Sequence, residues 1–275
     1  MGDAGNREGQ AFLPVARTPR TLSAEAVQHF NQRDYVADLP LLDAAEADAH
    51  RAWFDGVSAQ FRAAGKDAYS INGYHARLKT LHDLATHPLL LDYVEDLIGP
   101  DILCWGTHYF SKEPGDARAV PFHQDAVYWP FRPYRTVTAW IAVDDVDLEN
   151  APMCFLPGSH LAGPQETRER DGDVVLNLET IDYAAIGAPW PLTMQAGRVS
   201  LHMDLLVHGS ALNRSGRRRC GLTLRYVPPE VWVYADNDLG WTSRVLLCGG
   251  SADGSAWEPL EAPRGDELTL GQVRD

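Results

Sequence analysis

The stretch Ile102–Phe110, with the sequence ILCWGTHYF, lies where the hydrophobic pattern changes from a helical to an alternating period. Turn-rich pieces such as Glu113–Asp116 and Pro157–Ser159 separate the segments after it. Short strands broken by turns, with helices gathered before them, predict a mostly β fold, a double-sheet barrel with N-terminal buttressing helices. The further predicted strands are Val120–Asp125, Val137–Val146, Met153–Leu156, Val174–Leu178, Arg198–Met203, Leu205–His208 and Gly221–Val227.

Three helices are predicted before residue 100. One begins near Ser23, which is a favourable N-cap residue. A second begins at Asp43, which has the spacing of a capping box with Glu46. The third opens with Pro88 and ends at Gly99, because proline suits the first helical turn and glycine ends a helix.

Composition predicts one domain with polar ends. Residues 1–20, rich in Gly, Arg and Pro, are expected to form a flexible lead-in, and residues 251–275 a loose tail. Residues 21–250 are expected to form a single domain, with helices to about residue 100 and the barrel core over about 101–230.

Charge and cysteine content exclude several classes of protein. The chain of 275 residues has 24 basic and 38 acidic side chains, a net charge of −14, which argues against nucleic-acid binding. No apolar run approaches the roughly 20 residues of a membrane helix, and Met1–Arg20 lacks the apolar core of a signal peptide. The four cysteines form neither a CxxC pair nor a disulfide framework, so we expect a cytoplasmic protein. The net charge and the lack of a long apolar run predict that it has no nucleic-acid or membrane partners. Nothing in the sequence sets the oligomeric state.

The triplet His123-Gln124-Asp125 has the spacing of a metal site. In an extended strand, residues two apart face the same side, with Cα atoms roughly 6.6 Å apart. One imidazole and one carboxylate can therefore converge on a metal while Gln124 points away, a donor set that non-haem Fe(II) sites use. A second triplet of this kind, His202-Met203-Asp204, means that the spacing alone does not identify the site.

The third ligand separates the two triplets. His208 lies 85 residues after His123, which leaves enough chain to return on a neighbouring strand. Arg219 follows eleven residues later, where it could clamp a dicarboxylate in a bidentate pair. For a site built on His202, the only later histidine is His208, six residues on. The first triplet is therefore the favoured one.

Four segments carry a family resemblance, and they cover over half of the chain between about Leu84 and Pro228. In this order they resemble the phytanoyl-CoA dioxygenase family, a branch of the Fe(II)/2-oxoglutarate oxygenases. The segments are LIGPDILCWGTHYFSKEPGD (97–116), PFHQDAVYWP (121–130), VTAWIAVDDVDLENAPMCFLPGSH (137–160) and LLVHGSALNRSGRRRCGLTLRYVPPE (205–230).

The resemblance implies a double-stranded β-helix, or jelly roll, and a dioxygenase that uses Fe(II), 2-oxoglutarate and O₂. It implies His123, Asp125 and His208 as iron ligands and Arg219 as the anchor for the far carboxylate of 2-oxoglutarate. The expected reaction hydroxylates or otherwise oxidises a C–H bond of a small molecule and gives succinate and CO₂. A role in natural-product biosynthesis is a further hypothesis.

The resemblance also implies further co-substrate contacts. Trp140 matches a wall residue of the co-substrate pocket, His108 another contact, and Ser210 a hydroxyl on the same carboxylate as the arginine. Ala151 departs from the family, which has glycine there, and we expect a differently shaped turn because alanine disfavours positive φ. The retained Asp125 argues against halogenation, since halogenating relatives replace that carboxylate.

Two other functions remain open at this point. Two histidines and one carboxylate also describe a catalytic zinc site in a hydrolase, although the HExxH helix of such proteases is absent. A non-catalytic small-molecule-binding barrel is the third candidate. The substrate pocket is expected to involve the N-terminal region, the loop after Asp125 and residues near Trp232, Tyr234 and Trp241.

Overall fold

The structure is a computed structural model, and it describes residues 13–172, 174–233 and 244–268. The predicted Tyr234 and Trp241 positions lie outside the described residues. Four α-helices are α1 (Ala24–Arg33), α2 (Ala44–Ala63), α3 (Lys79–Ala85) and α4 (Pro88–Ile98). Short 3₁₀ turns cover Ala68–Ser70, Tyr74–Ala76, Asp125–Tyr128, Ser159–Ala162 and Tyr183–Ala185.

Most of the strands follow the last helix. They are β1 (Tyr35–Pro40), β2 (Ile102–Lys112), β3 (Val120–His123), β4 (Phe131–Arg132), β5 (Val137–Ala142), β6 (Cys154–Phe155), β7 (Thr167–Glu169), β8 (Leu178–Thr180), β9 (Trp190–Pro191), β10 (Arg198–Met203), β11 (His208–Ser210), β12 (Arg219–Val227), β13 (Trp232–Val233), β14 (Arg244–Gly249) and β15 (Glu258–Pro259).

The three predicted helix starts are confirmed by their caps. The Ser23 hydroxyl accepts a hydrogen bond from the Ala26 amide. Asp43 and Glu46 make both hydrogen bonds of the capping box. Pro88 opens α4, and Gly99 follows its last residue. Helix α3 was not predicted, and its N-cap residue makes no side-chain hydrogen bond that would have marked it.

Two sheets form the jelly roll that the sequence predicted. The larger has the order β1-β10-β5-β12-β2-β14-β15, and the smaller has the order β3-β11-β6-β9. All the pairings are antiparallel except β14 with β15. Strand β12 lies between β5 and β2, and β11 lies between β3 and β6.

Strand β12 is buried on both faces, and its alternation separates the core from the cavity. The residues Cys220, Leu222, Leu224 and Tyr226 belong to the main hydrophobic core, which also contains the apolar faces of the helices. Arg219, Thr223 and Arg225 point to the opposite side and line a cavity between the two sheets. The helices therefore cover the outer face of the large sheet and leave its inner face for the site.

Some strand boundaries differ from the prediction. Strand β10 has the predicted bounds, but the segment predicted over Val174–Leu178 is not a continuous strand: Val174 forms an isolated bridge, and Leu178 begins β8. Strand β3 stops at His123, so Asp125 begins a 3₁₀ turn instead of continuing the strand. The predicted reason for the convergence of His123 and Asp125, strand alternation, was therefore wrong, although the two side chains do converge.

The described parts of the two chain ends make hydrogen bonds to the rest of the domain. Asn31 holds the backbone of Val15 through both its oxygen and its nitrogen. At the other end, the buried Trp257 donates to the Val231 carbonyl, and Asp266 accepts from Thr80 and Trp53. Within the described residues, no helix combines the length and the apolar character needed to cross a membrane.

Candidate active site

Three side chains from the first triplet and β11 meet at one end of the cavity. His123 on β3 is paired directly with His208 on β11, and their ring centroids are 4.4 Å apart. One ligand atom each from His123, Asp125 and His208 lies within 4.8 Å of the others. Among the described residues this is the only such group of three or more possible ligands, and all three residues are buried.

Backbone carbonyls fix the tautomers of both histidines. Nδ1 of His123 lies 2.8 Å from the Pro121 carbonyl oxygen, and Nδ1 of His208 lies 2.9 Å from that of Leu206. A carbonyl oxygen only accepts, so each Nδ1 carries the proton and donates it. Each Nε2 is then left with a lone pair facing Asp125 Oδ1, at 3.4 Å and 3.8 Å. A hydrogen bond from the ring nitrogen that does not bind the metal is what orients metal-binding histidines.

Asp125 is held as a carboxylate. Burial raises the pKa of Asp125, but the Arg225 guanidinium and the imidazoles of His123 and His208, when these are protonated, lower it, and the net direction is downward. The Thr138 hydroxyl lies 3.5 Å from its second oxygen. Two neutral nitrogen acceptors and one carboxylate that face the same space repel one another unless a cation lies between them, so the donor set fits a divalent metal ion.

Gln124, the middle residue of the triplet, points away from the metal group and ties loops together. Its amide nitrogen donates to the carbonyls of Gly163 and Leu205, and its oxygen accepts from the Gln165 amide. The side chain is fully buried with these partners. The turn that carries Asp125 is therefore anchored to the two loops behind it.

The second HxD triplet does not contribute to this group. His202, in the middle of β10, and Asp204 are both buried. Burial lowers the pKa of His202 to about 3, which makes its ring neutral, and raises that of Asp204 to about 7. His202 lines the cavity, with its ring centroid 5.0 Å from that of His208.

Arg219 begins β12 and reaches into the cavity with a fixed guanidinium. Its Nε donates to the Ala151 carbonyl at 3.0 Å, and Nη2 donates to the Ser210 hydroxyl at 3.1 Å. Burial lowers the pKa of Arg219 to about 10, which still leaves it charged at neutral pH. Ala151 has a φ of 61°, so the expectation that alanine would avoid positive φ there was wrong. The strained residue presents the carbonyl that orients Arg219.

Trp140 forms a wall of the same cavity, and Gly221 makes room for it. A Cβ atom on Gly221 would lie 2.0 Å from Cζ2 and 2.1 Å from Cε2 of the Trp140 indole. The indole is fully buried and packs with Met153, Phe155 and neighbouring apolar residues. The ring therefore occupies the space that any larger residue at 221 would need.

His108 does not line the cavity, unlike the other predicted co-substrate residues. Its Nε2 lies 2.7 Å from the Tyr69 carbonyl oxygen and donates to it, and its ring packs against Tyr69 and Phe110. Burial lowers the pKa of His108 to about 3. The ring is therefore a neutral, packed residue behind Phe110.

Fourteen of the described residues line the cavity. Sequence reasoning missed Arg225, Thr138 and Phe110 as wall residues, although Arg225 lies six residues after Arg219 and strand alternation puts both on one face. Trp232 is about half exposed and is not a wall residue. The lining consists of Phe110, Val120, His123, Asp125, Thr138, Trp140, Met153, His202, His208, Gly209, Ser210, Arg219, Thr223 and Arg225.

Comparison with protein families places the chain in a known group. The sequence model of "Phytanoyl-CoA dioxygenase (PhyH)" matches residues 15–221, three quarters of the chain. The chain belongs to the phytanoyl-CoA dioxygenase family. The match contains all three residues of the metal group and Arg219, and it confirms the family resemblance seen in the sequence.

Individual relatives of the family agree over parts of the chain. The peroxisomal phytanoyl-CoA dioxygenase of Bos taurus is 34% identical over 137 residues, which cover 47% of this chain and 41% of that protein. The chain thus spans less than half the length of that curated relative.

Solved structures match over more of the fold. The non-haem monooxygenase ThoJ, without ligands, has a TM-score of 0.74 at 28% identity and covers 87% of this chain and 88% of its own. CytC3 with Fe(II) and alpha-ketoglutarate has a TM-score of 0.65 at 20% identity and covers 92% and 98%. These likenesses confirm the jelly-roll fold.

Proposed function

We propose that the protein is an Fe(II)- and 2-oxoglutarate-dependent dioxygenase that oxidises a C–H bond of a small molecule and gives succinate and CO₂. The observation that carries this proposal is the convergence of three ligand atoms within 4.8 Å in the cavity that also contains the Arg219 guanidinium. Family membership supports the same chemistry.

In this proposal, His123, Asp125 and His208 hold the iron through two Nε2 atoms and one carboxylate oxygen. When bound, the ferrous ion with 2-oxoglutarate and O₂ supplies the oxidising power that removes a hydrogen atom from an unactivated carbon. The chain's residues supply position: the carbonyls of Pro121 and Leu206 keep both Nε2 lone pairs directed at the metal space.

Arg219 is the proposed anchor for the far carboxylate of 2-oxoglutarate. The Ser210 hydroxyl and the Ala151 carbonyl hold its guanidinium in place before the co-substrate arrives. A buried, preoriented arginine loses little freedom on binding a carboxylate and makes strong charge-assisted hydrogen bonds. Trp140 closes one side of the pocket and excludes water from it. His108 has no part in the proposal, because its ring nitrogen already has the Tyr69 carbonyl as partner.

We also propose a reducing compartment such as the cytoplasm, in agreement with four cysteines that are all free. The net charge of −14 supports small-molecule rather than nucleic-acid partners.

The test is to purify the protein without oxygen, determine its metal, and assay succinate formation from 2-oxoglutarate. Bound iron and succinate production that need His208 and Arg219 support the proposal. Tightly bound zinc with hydrolytic activity and no succinate would instead support the metallohydrolase, and neither activity would support a binding barrel.

A further inference from the structure

Arg225 is a second buried arginine in the cavity, and the proposed reaction gives it no role. It lies on β12 six residues after Arg219, on the same face, and is 7% exposed. Its cross-strand neighbour Thr138 contacts the Asp125 carboxylate, so Arg225 lies toward the metal end of the cavity. The two arginine Cα atoms are about 20 Å apart along the strand, which puts the two side chains at opposite ends.

Aromatic rings surround the Arg225 guanidinium. Its central carbon lies 5.1 Å from the ring centroid of Trp129, 5.6 Å from that of Trp105 and 6.0 Å from that of Phe110. Such rings stabilise a cation but accept no strong hydrogen bonds along its edge. The N–H groups along the edge of the guanidinium therefore need a hydrogen-bond acceptor other than these rings.

Among the described lining residues only Asp125 carries a carboxylate, and it attracts Arg225 from a distance without forming an ion pair with it. The buried Nε of Arg225 has no hydrogen-bond partner. The Asp125 carboxylate is within ion-pair distance of His123 and His208, and neither it nor any other described carboxylate is within that distance of Arg225. Arg219, by contrast, has two fixed acceptors in the protein. A buried guanidinium without an anion is unfavourable, since burial removes its hydration without replacement.

Under the proposed function, the charges of the loaded site also leave Arg225 without a compensating anion. A ferrous ion, the Asp125 carboxylate, the 2-oxoglutarate dianion and Arg219 together carry no net charge. Arg225 then adds one positive charge that nothing in the loaded site offsets. The remaining component of the reaction, the organic substrate, is the one that can supply the missing negative charge.

We propose that Arg225 anchors a carboxylate of the organic substrate, so that the enzyme acts on small monoanionic carboxylic acids. A carboxylate matches the planar fork of one guanidinium. A phosphate dianion or a polyphosphate ester needs more than one cation, and Arg219 and Arg225 are the only basic side chains other than histidine among the lining residues. This inference rests on the proposed function, because it reserves Arg219 for 2-oxoglutarate.

The test uses acetate and its neutral isostere acetamide as probes, since both are small enough to enter any such pocket. Binding of each to the Mn(II)- and 2-oxoglutarate-loaded protein is measured by calorimetry at concentrations up to about 100 mM. Wild type should bind acetate about tenfold or more tighter than acetamide, because a charge-assisted hydrogen bond exceeds a neutral one. Arg225→Gln should abolish that preference. Equal binding of the two probes to wild type, or a preference kept by Arg225→Gln, overturns the inference.

The matched control is Arg132→Gln, which removes an arginine that also lies over an aromatic ring, that of Tyr134, but outside the cavity. This variant should keep the acetate preference of wild type. If it loses that preference as Arg225→Gln does, the effect reflects arginine removal in general, and the inference is overturned.

Binding of 2-oxoglutarate separates this inference from the proposed function. Wild type and Arg225→Gln should bind 2-oxoglutarate within about twofold of each other, and Arg219→Gln should bind it about thirtyfold or more weakly. Failure of wild type to bind refutes the proposed function. Loss of binding in Arg225→Gln leaves the proposed function intact and overturns the inference, because Arg225 would then serve the co-substrate.

The Tm of a variant without the Arg225 charge distinguishes an anchoring role from a fold-stabilising one. Arg225→Met keeps an unbranched apolar stem against the aromatic rings and removes the charge. In the ligand-free protein its Tm should equal or exceed that of wild type, because an uncompensated buried cation is lost. A lower Tm would mean that the cation stabilises the fold, and the anchoring role would be rejected.

Discussion

Replacing Gly221 with alanine tests how the Trp140 wall shapes the cavity. The new Cβ would lie 2.0 Å from Cζ2 and 2.1 Å from Cε2 of the indole. Carbon atoms in contact need about 3.5 Å, so the ring or the strand must move by about 1.5 Å. The indole is 2% exposed and is packed against apolar residues on its other sides. We therefore expect the indole to move into the cavity.

We expect Gly221→Ala to lower the free energy of unfolding by about 1–3 kcal/mol, the usual cost of overpacking a core. We also expect 2-oxoglutarate affinity to fall by about tenfold or more, since a displaced wall residue intrudes on the binding space. Urea denaturation measures the first effect, and calorimetry with the Mn(II)-loaded protein measures the second. Gly216→Ala is the matched control, because nothing lies within 4 Å of a Cβ there.

A double-mutant cycle isolates the clash. In a Trp140→Leu background, the smaller side chain leaves space for the methyl group, so Gly221→Ala should cost little further stability. The coupling free energy should be about 0.5–3 kcal/mol in the relieving direction. An unchanged cost of Gly221→Ala in that background, or a stable single variant with normal 2-oxoglutarate affinity, would refute this account of the wall.

Three other predictions follow from single side chains. Arg219→Gln should weaken 2-oxoglutarate binding by about 2–5 kcal/mol while Mn(II) affinity, measured by titration without 2-oxoglutarate, is unchanged; equal loss of both would contradict its anchoring role. Ala151→Gly should raise the free energy of unfolding by about 1 kcal/mol, because glycine adopts the observed φ of 61° without strain; a decrease in urea denaturation would count against strain there. Burial lowers the pKa of His50, whose Nε2 lies 3.0 Å from the Tyr109 hydroxyl oxygen, from 6.5 to about 4. The unfolded chain therefore takes up this proton first as the pH falls from 6.5 to 4, and stability decreases by up to about 1.4 kcal/mol per pH unit from this group. His50→Gln should have a shallower dependence in denaturation at several pH values, and an identical slope would exclude His50 as a source.

The parts of the fold that local patterns determine could be predicted from the sequence. Ser23 and Asp43 mark helix starts because their side chains satisfy free backbone amides close in sequence. Strand β10 could be predicted because its alternation is uninterrupted. Helix α3 has no such local signal, and it is fixed by long-range contacts such as the hydrogen bonds from Thr80 to Asp266, 186 residues away.

In the candidate site, too, some features could be predicted from the sequence and others depend on the folded structure. The partners of His123 could be proposed because the spacing of His208 and Arg219 matches a family pattern. The reason that Asp125 reaches the same space could not be predicted, because a 3₁₀ turn replaces the expected strand there. The role of His108 depends on the carbonyl of Tyr69, 39 residues away, which no local pattern indicates.

The most direct test of the central claim is the absorption spectrum of the anaerobic protein with Fe(II), before and after addition of 2-oxoglutarate. Chelation of iron by 2-oxoglutarate at His123, Asp125 and His208 should produce a metal-to-ligand charge-transfer band in wild type and no band in His208→Ala. Absence of the band in wild type, or its persistence in His208→Ala, would contradict a single ferrous ion held by these three side chains.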